Sequence, residues 1–79
     1  MNLADAAEQV LRERPGQPLH SKEIAEQALA AGLIAPRSET PWVYVAAAIR
    51  KDNRRRQKRG ETPRFTAAGE GRYILRGIT

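Results

Sequence analysis

Cysteine is absent from this 79-residue chain, and histidine occurs once, at His20. Neither a disulfide framework nor a thiolate zinc site can be built, and His20 has no second histidine with which to hold a metal. No metal or other cofactor is expected. Aromatic residues are scarce too: one Trp, one Phe and two Tyr. The paired sheet aromatics that stack single-stranded RNA bases are therefore not on offer. There is no long apolar run, and the opening MNLADAAEQVLRERPG carries acids among its first residues. This reads as neither a secretory signal nor a membrane span, so an intracellular, cytoplasmic location is expected, on the nucleoid if the source is bacterial.

Convergent catalytic groups are also missing. Glu8, Glu13, Glu23 and Glu26 are scattered as solvated helix positions, and no serine or cysteine nucleophile has a paired acid. Ser21 and His20 read as the start of a helix, not as chemistry. Neither an enzyme nor a small-molecule substrate is expected. A chain this short buries only about 60% of its unfolded surface, so one domain over residues 1–79 with little room for an enclosed pocket is expected. At 41% hydrophobic residues it can still form a core, unlike a disordered basic tail.

What the chain does have is positive charge in one place. Residues 1–40 hold four bases against six acids, a net of −2, whereas residues 41–79 hold ten bases against three acids, a net of +7. Most of that excess lies in IRKDNRRRQKRGETPRF, from Ile49 to Phe65. A basic run is usually a solvated face. Concentrated in one half of a folded domain, it is instead a one-sided footprint suited to a polyanion such as nucleic acid. A membrane is a poorer match, because the run has no apolar face of its own.

Periodicity places the elements. Leu3, Ala6, Ala7, Val10 and Leu11 recur at helical spacing, with Asn2 as a cap and Pro15-Gly16 as a stop. QPLH offers a very short extended stretch. In SKEIAEQALAAG, Ile24, Ala25, Ala28 and Leu29 share a side, and Gly32 supplies a left-handed C-terminal cap. A third helix starts at Thr40-Pro41, with Thr40 expected to cap the first amides and Pro41 in the first turn. Its inner stripe is Trp42, Val45, Ala46, Ile49 and Asn53; its outer stripe is Tyr44, Ala47, Ala48, Lys51, Arg54 and Arg55. Regular continuation would point Arg56 inward, so fraying or termination is expected between Asn53 and Gly60. After Pro63 the period becomes two. Phe65 and Ala67, then Tyr73 and Leu75, alternate with polar neighbours around two glycines, which predicts a β-hairpin. Ile74 breaks the alternation and is expected to pack under the terminal GIT. GEG is a turn and not a phosphate loop, since no strand-to-helix junction follows it.

Helix, short strand, helix, helix, hairpin is the order of a winged helix-turn-helix. The expected class is mostly α with a small β-hairpin (α+β), three helices plus a two- to three-stranded antiparallel wing sheet. The spaced pattern ADAAEQVL, PLHSKEIAEQAL, GLI, TPWVYVAAAIRKD, PRF and GEGRYILR, running from Leu3 to Arg76, resembles the HARE-HTH family. Those winged helices occur in ASX-like chromatin proteins, restriction endonucleases and the delta subunit of bacterial RNA polymerase. The resemblance implies core roles for Leu19, Ile24, Val45, Ile49, Phe65, Tyr73 and Leu75. It also implies a DNA-binding or chromatin-linked module, with modified DNA as a suggested target and a nuclease or other effector domain as a companion. Two features depart from the family pattern: Asn53 stands where a hydrophobic residue is usual, and the arginine-rich stretch after it is longer.

In a helix-turn-helix the second helix of the unit enters the major groove of double-stranded DNA. That makes helix three, about residues 41–55, the reader, with Ser38, Thr40, Tyr44, Ala47, Ala48 and Lys51 as base-reading candidates. Alanine methyls suit thymine or 5-methylcytosine, though Ala47 and Ala48 equally suit a wet helix face. Tyr44 equally suits a half-buried position, and Trp42 fits the core. Arg54 and Arg55 of the outer stripe, Lys58 and Arg59 of a basic loop after it, and Arg64 and Arg72 of the hairpin are the phosphate candidates. The rival is a protein interaction in which the basic half meets an acidic partner, such as a transcription or chromatin component.

Overall fold

The computed structural model describes residues 2–36 and 38–76. Three helices, α1 (Leu3–Arg12), α2 (Ser21–Ala30) and α3 (Pro41–Lys58), pack with a three-stranded antiparallel sheet of β1 (Leu19–His20), β2 (Phe65–Gly69) and β3 (Arg72–Leu75). Strand order is β1-β3-β2, so the hairpin β2-β3 is the wing and the QPLH stretch supplies the third strand. The expected α+β winged helix is the fold observed.

Local chemistry sets the helix ends. The Asn2 side-chain oxygen accepts from the Asp5 amide at 2.8 Å, and the Asp5 carboxylate accepts from the Asn2 amide, a reciprocal cap. His20 does the same for α2: its Nδ1 accepts from the Lys22 amide at 3.1 Å, while Glu23 accepts from the His20 amide at 3.0 Å. Gly32, at φ +71°, ends α2 by letting the Leu33 amide reach the Ala28 carbonyl at 2.9 Å. Gly60 repeats this device after α3, with the Glu61 amide on the Arg56 carbonyl at 2.8 Å.

Two expectations about α3 change. Thr40 makes no side-chain cap; its amide and hydroxyl are taken by the Ser38 hydroxyl, at 3.0 and 3.3 Å. The helix ends at Lys58, inside the expected span from Asn53 to Gly60, but it reaches past the expected end near residue 55. It runs regularly to Lys58, because Arg56 donates to Asp52 one turn back at 3.2 Å and so avoids burying a lone charge. Arg54 and Arg55 are helical as expected, and Lys58, expected in a basic loop, is helical too.

The core lies where the helices meet the sheet. Val10 and Leu11 of α1, Leu19 of β1, Ile24 of α2 and Val45 and Ile49 of α3 are fully buried, joined by Phe65, Tyr73 and Leu75. Trp42 packs half-buried against this cluster, with the Lys22 ammonium 4.7 Å over its ring. Beyond Phe65 strand β2 is exposed, including Ala67, because it is the edge strand and packs chiefly against β3. Ile74 is half-buried; its expected partners in GIT lie outside the described residues.

Ala68 is an extra residue in β2 relative to β3, and Glu70 and Gly71 both take positive φ, +52° and +76°, as a tight hairpin turn demands. A Cβ on Gly71 would sit 2.8 Å from His20 Nε2, whereas one on Gly69 would meet nothing within 4 Å. Both positions carry positive φ, so Gly69→Ala is expected to lose about 1 kcal/mol from backbone strain alone. Gly71→Ala should lose about 1 kcal/mol more by displacing the ring that caps α2. Urea unfolding of the two variants measures the difference; equal losses would show that the ring moves freely.

Candidate nucleic-acid interface

At about 100° per residue, the face of α3 turned away from the core carries Tyr44, Ala47, Lys51, Arg54 and Lys58, all exposed. Arg55 and the half-buried Ala48 flank it on the α1 side, and Val43 and Arg50 on the other. Tyr44 and Val43 are 56% and 51% exposed, the largest open apolar side chains among the described residues. Tyr44 thus stands in solvent. Ser38 and Thr40 sit, exposed and bonded to each other, just ahead of the helix. Thr40 does not cap, and the first turn of α3 holds no acid against the positive end of the helix dipole.

The one acid inside this basic helix is neutralised. Asp52 receives the Arg64 guanidinium on both oxygens, Nε to Oδ2 at 3.0 Å and Nη2 to Oδ1 at 2.8 Å, in the fork geometry that arginine matches best. The same guanidinium meets Asp5 at 3.0 Å and Glu8 at 3.5 Å on α1. The hydrogen bonds from Arg64 hold the Asp52 carboxyl below its usual range against the opposing effect of burial, with Arg56 adding to the effect. Asp5 is lowered by Arg64 in the same way, and Arg64 is itself raised, chiefly by Asp52.

Arg64, expected among the phosphate-binding cations, is thus only 15% exposed and occupied by three acids that join α1, α3 and the wing. Its position just before β2 reads as another wing cation in sequence; nothing local signals its acidic partners. Arg59 lies at the end of α3 beside Glu61 at 3.7 Å, and Arg72 lies on the wing beside Glu70 at 3.5 Å, both partly exposed. The structure therefore gathers Lys51, Arg54, Arg55 and Lys58 on one helix surface and leaves Arg72 on a separate projection. Two exposed cations join the set, Arg50 on α3 and Arg76 at the end of β3. Arg50 sits off the outer stripe that periodicity selects, and Arg76 was legible only as a polar alternate of β3.

Asn53 has a definite partner. Its carboxamide donates to the Phe65 carbonyl at 3.0 Å and accepts from the Phe65 amide at 3.4 Å.

Two depressions border the face. A groove of about 600 Å³ between the heads of α1 and α3 is lined by Leu3, Leu33, Ile34, Pro41 and Tyr44 among others. A shallower one of about 270 Å³ holds Ala48, Lys51 and Arg55 against Asn2 and Leu3. Among the described residues no cluster of potential metal ligands exists, and no helix is long and apolar enough to cross a membrane.

No curated protein and no solved structure matches the chain. The family model for HARE-HTH, the ASXL and restriction endonuclease HTH domain, matches residues 1–78, nearly the whole length. With three helices, a wing and this match along its length, the chain belongs to the HARE-HTH family of helix-turn-helix domains.

Proposed function

We propose that this chain is a double-stranded DNA-binding module, without catalytic activity of its own, that works inside the cell. Helix α3 enters the major groove amino end first, so that Tyr44, Ala47, Ala48 and Lys51 meet base edges with Ser38 and Thr40 beside them. Arg54, Arg55, Lys58 and Arg59 take phosphates along the helix, and Arg72 and Arg76 take them from the wing. The observation that carries this reading is the outer face of α3, cationic over its last turns and free of any unpaired acid, because Asp52 is held by Arg64 and Arg56. An exposed tyrosine next to alanine methyls gives that face a means of distinguishing bases, including methylated ones. A linked or separate nuclease or other effector would supply any chemistry.

Fluorescence anisotropy of a labelled duplex, plain or methylated at cytosine or adenine, tests this at several salt concentrations. Affinity should fall with a log–log slope near −0.9 per neutralised phosphate, for about four to six contacts. Arg55→Ala should weaken all duplexes alike, while Tyr44→Ala and Ala47→Glu should change the ranking among them. A uniform loss from all three would remove the reading role of α3.

The groove beside Tyr44 favours a second reading, an acidic protein partner whose apolar side chains fill it while its carboxylates meet Lys51 and Arg55. Absence of DNA binding at low salt would select that reading.

A further inference from the structure

A wing contributes to DNA binding only if its cations face the duplex at the same time as the reading helix. In this chain β1 pairs with the wing on the β3 side and Phe65, Tyr73 and Leu75 root it in the core, but its edge strand β2 is largely exposed and has no strand beyond it. A direct fastening of the β2 edge to α3 would add to those contacts and fix the angle between wing and helix. Two consecutive residues near the end of α3 make the connection.

Asn53 occupies the free edge of β2. Its carboxamide exchanges two hydrogen bonds with the backbone of Phe65, as a neighbouring strand residue would, at 3.0 and 3.4 Å. Asp52 grips the preceding residue, Arg64, through both carboxylate oxygens at 3.0 and 2.8 Å. From the other side, the Arg76 amide donates to the Arg64 carbonyl at 2.9 Å, which ties the return strand to the same point. The chain between is short, since the cap at Gly60 already turns it back onto α3. The wing root is thereby fastened at two successive residues to two successive residues of the reading helix.

We infer that Asp52 and Asn53 are positioning residues for DNA binding: they set the wing against α3 so that Arg72 and Arg76 reach phosphate while α3 lies in the groove. Neither residue touches the nucleic acid. The inference rests on the DNA-binding reading above and adds to it which residues make helix and wing act as one surface. A fastened wing presents its charges without an ordering penalty at the moment of binding; a loose wing incurs that penalty and its cations lose their share of the affinity. Asn53 is the better residue to test, because leucine fills a similar volume yet cannot bond the Phe65 backbone, and no charge changes.

Two measurements on Asn53→Leu decide the matter. The first is a double-mutant cycle with Arg72→Ala, read as duplex affinity at fixed salt. Arg72→Ala is expected to weaken the parent about fivefold to tenfold, the share of one phosphate contact, and the Asn53→Leu protein less than about twofold. The second is backbone ¹⁵N relaxation of the free protein, in which the amides from Thr66 to Gly71 should gain fast motion in Asn53→Leu while those of α2 do not. Equal weakening by Arg72→Ala in both backgrounds, or unchanged relaxation of the wing, would overturn the inference. Asn53→Ser, which also loses the paired bonds, carries the same comparison if the leucine variant does not fold. Failure of the parent to bind DNA would overturn the proposed function, and the relaxation measurement would still decide whether Asn53 holds the wing.

Discussion

Arg64→Met is expected to lower folding stability by about 3 kcal/mol, the largest loss of any single basic residue in the chain. The guanidinium is 15% exposed and bonded to Asp5, Glu8 and Asp52, so its removal leaves an Asp52 carboxylate, also 15% exposed, with only Arg56 for company. The loss comes mainly from that stranded charge and less from the value of the intact pair. Asp52→Leu introduced into the Arg64→Met protein should therefore recover much of it, and urea unfolding of the single and double variants measures the recovery. A loss below about 0.5 kcal/mol would place Arg64 with ordinary surface cations.

The same contacts set a pH dependence. Asp52 and Asp5 have folded-state carboxyls lowered by the hydrogen bonds from Arg64, so their stabilising contribution is complete above the unfolded carboxyl value of about 4. It disappears as pH falls from there through the lowered folded values. The difference in melting temperature between the parent and Arg64→Met should accordingly be constant from about pH 5 to 8 and shrink below about pH 4. Asp5 is 44% exposed and adds less than Asp52 to this effect.

Replacing Arg54, Arg55 and Lys58 together by alanine is expected to produce the largest loss of DNA affinity without a loss of fold. All three side chains are exposed on α3, and alanine is the better helix former, so the melting temperature should hold. If each neutralises one phosphate, the slope of log affinity against log salt should become shallower by about 2.7, three times 0.9. Relative to a 1 M salt reference, that slope corresponds to about a 500-fold weaker affinity at 0.1 M. An unchanged slope would mean that this surface faces something other than the duplex, with an acidic protein as the remaining partner class.

Much of this architecture was legible in the sequence because it rests on near neighbours. The cap at Asn2, the glycine terminator at Gly32 and the hairpin around Gly69 and Gly71 each involve residues only a few positions apart. Even the unusual cap by His20 follows from its place between a strand and a helix. Thr40 shows where that logic stops: its hydroxyl lies against Ser38, two residues earlier, which also accepts from its amide, and it makes no cap. Arg56 shows the same limit, because an inward-pointing base reads as a helix breaker until Asp52, one turn away, is seen to receive it.

Periodicity, capping residues and charge distribution by themselves determined the three helices, the wing, the buried faces and the half of the chain that carries the positive charge. They could do so because each depends on the spacing of residues within a few turns of helix or a few residues of strand. Only the tertiary structure decided which cations are free and which are consumed. Arg64 and Arg55 are alike as sequence, yet one is enclosed by acids, among them Asp5 at a separation of 59 residues, and the other is open to solvent. Asn53 likewise gains its meaning from Phe65 across the turn between helix and wing. A charge's partner is set by distance in space and the desolvation that comes with it, and neither is written in local order along the chain.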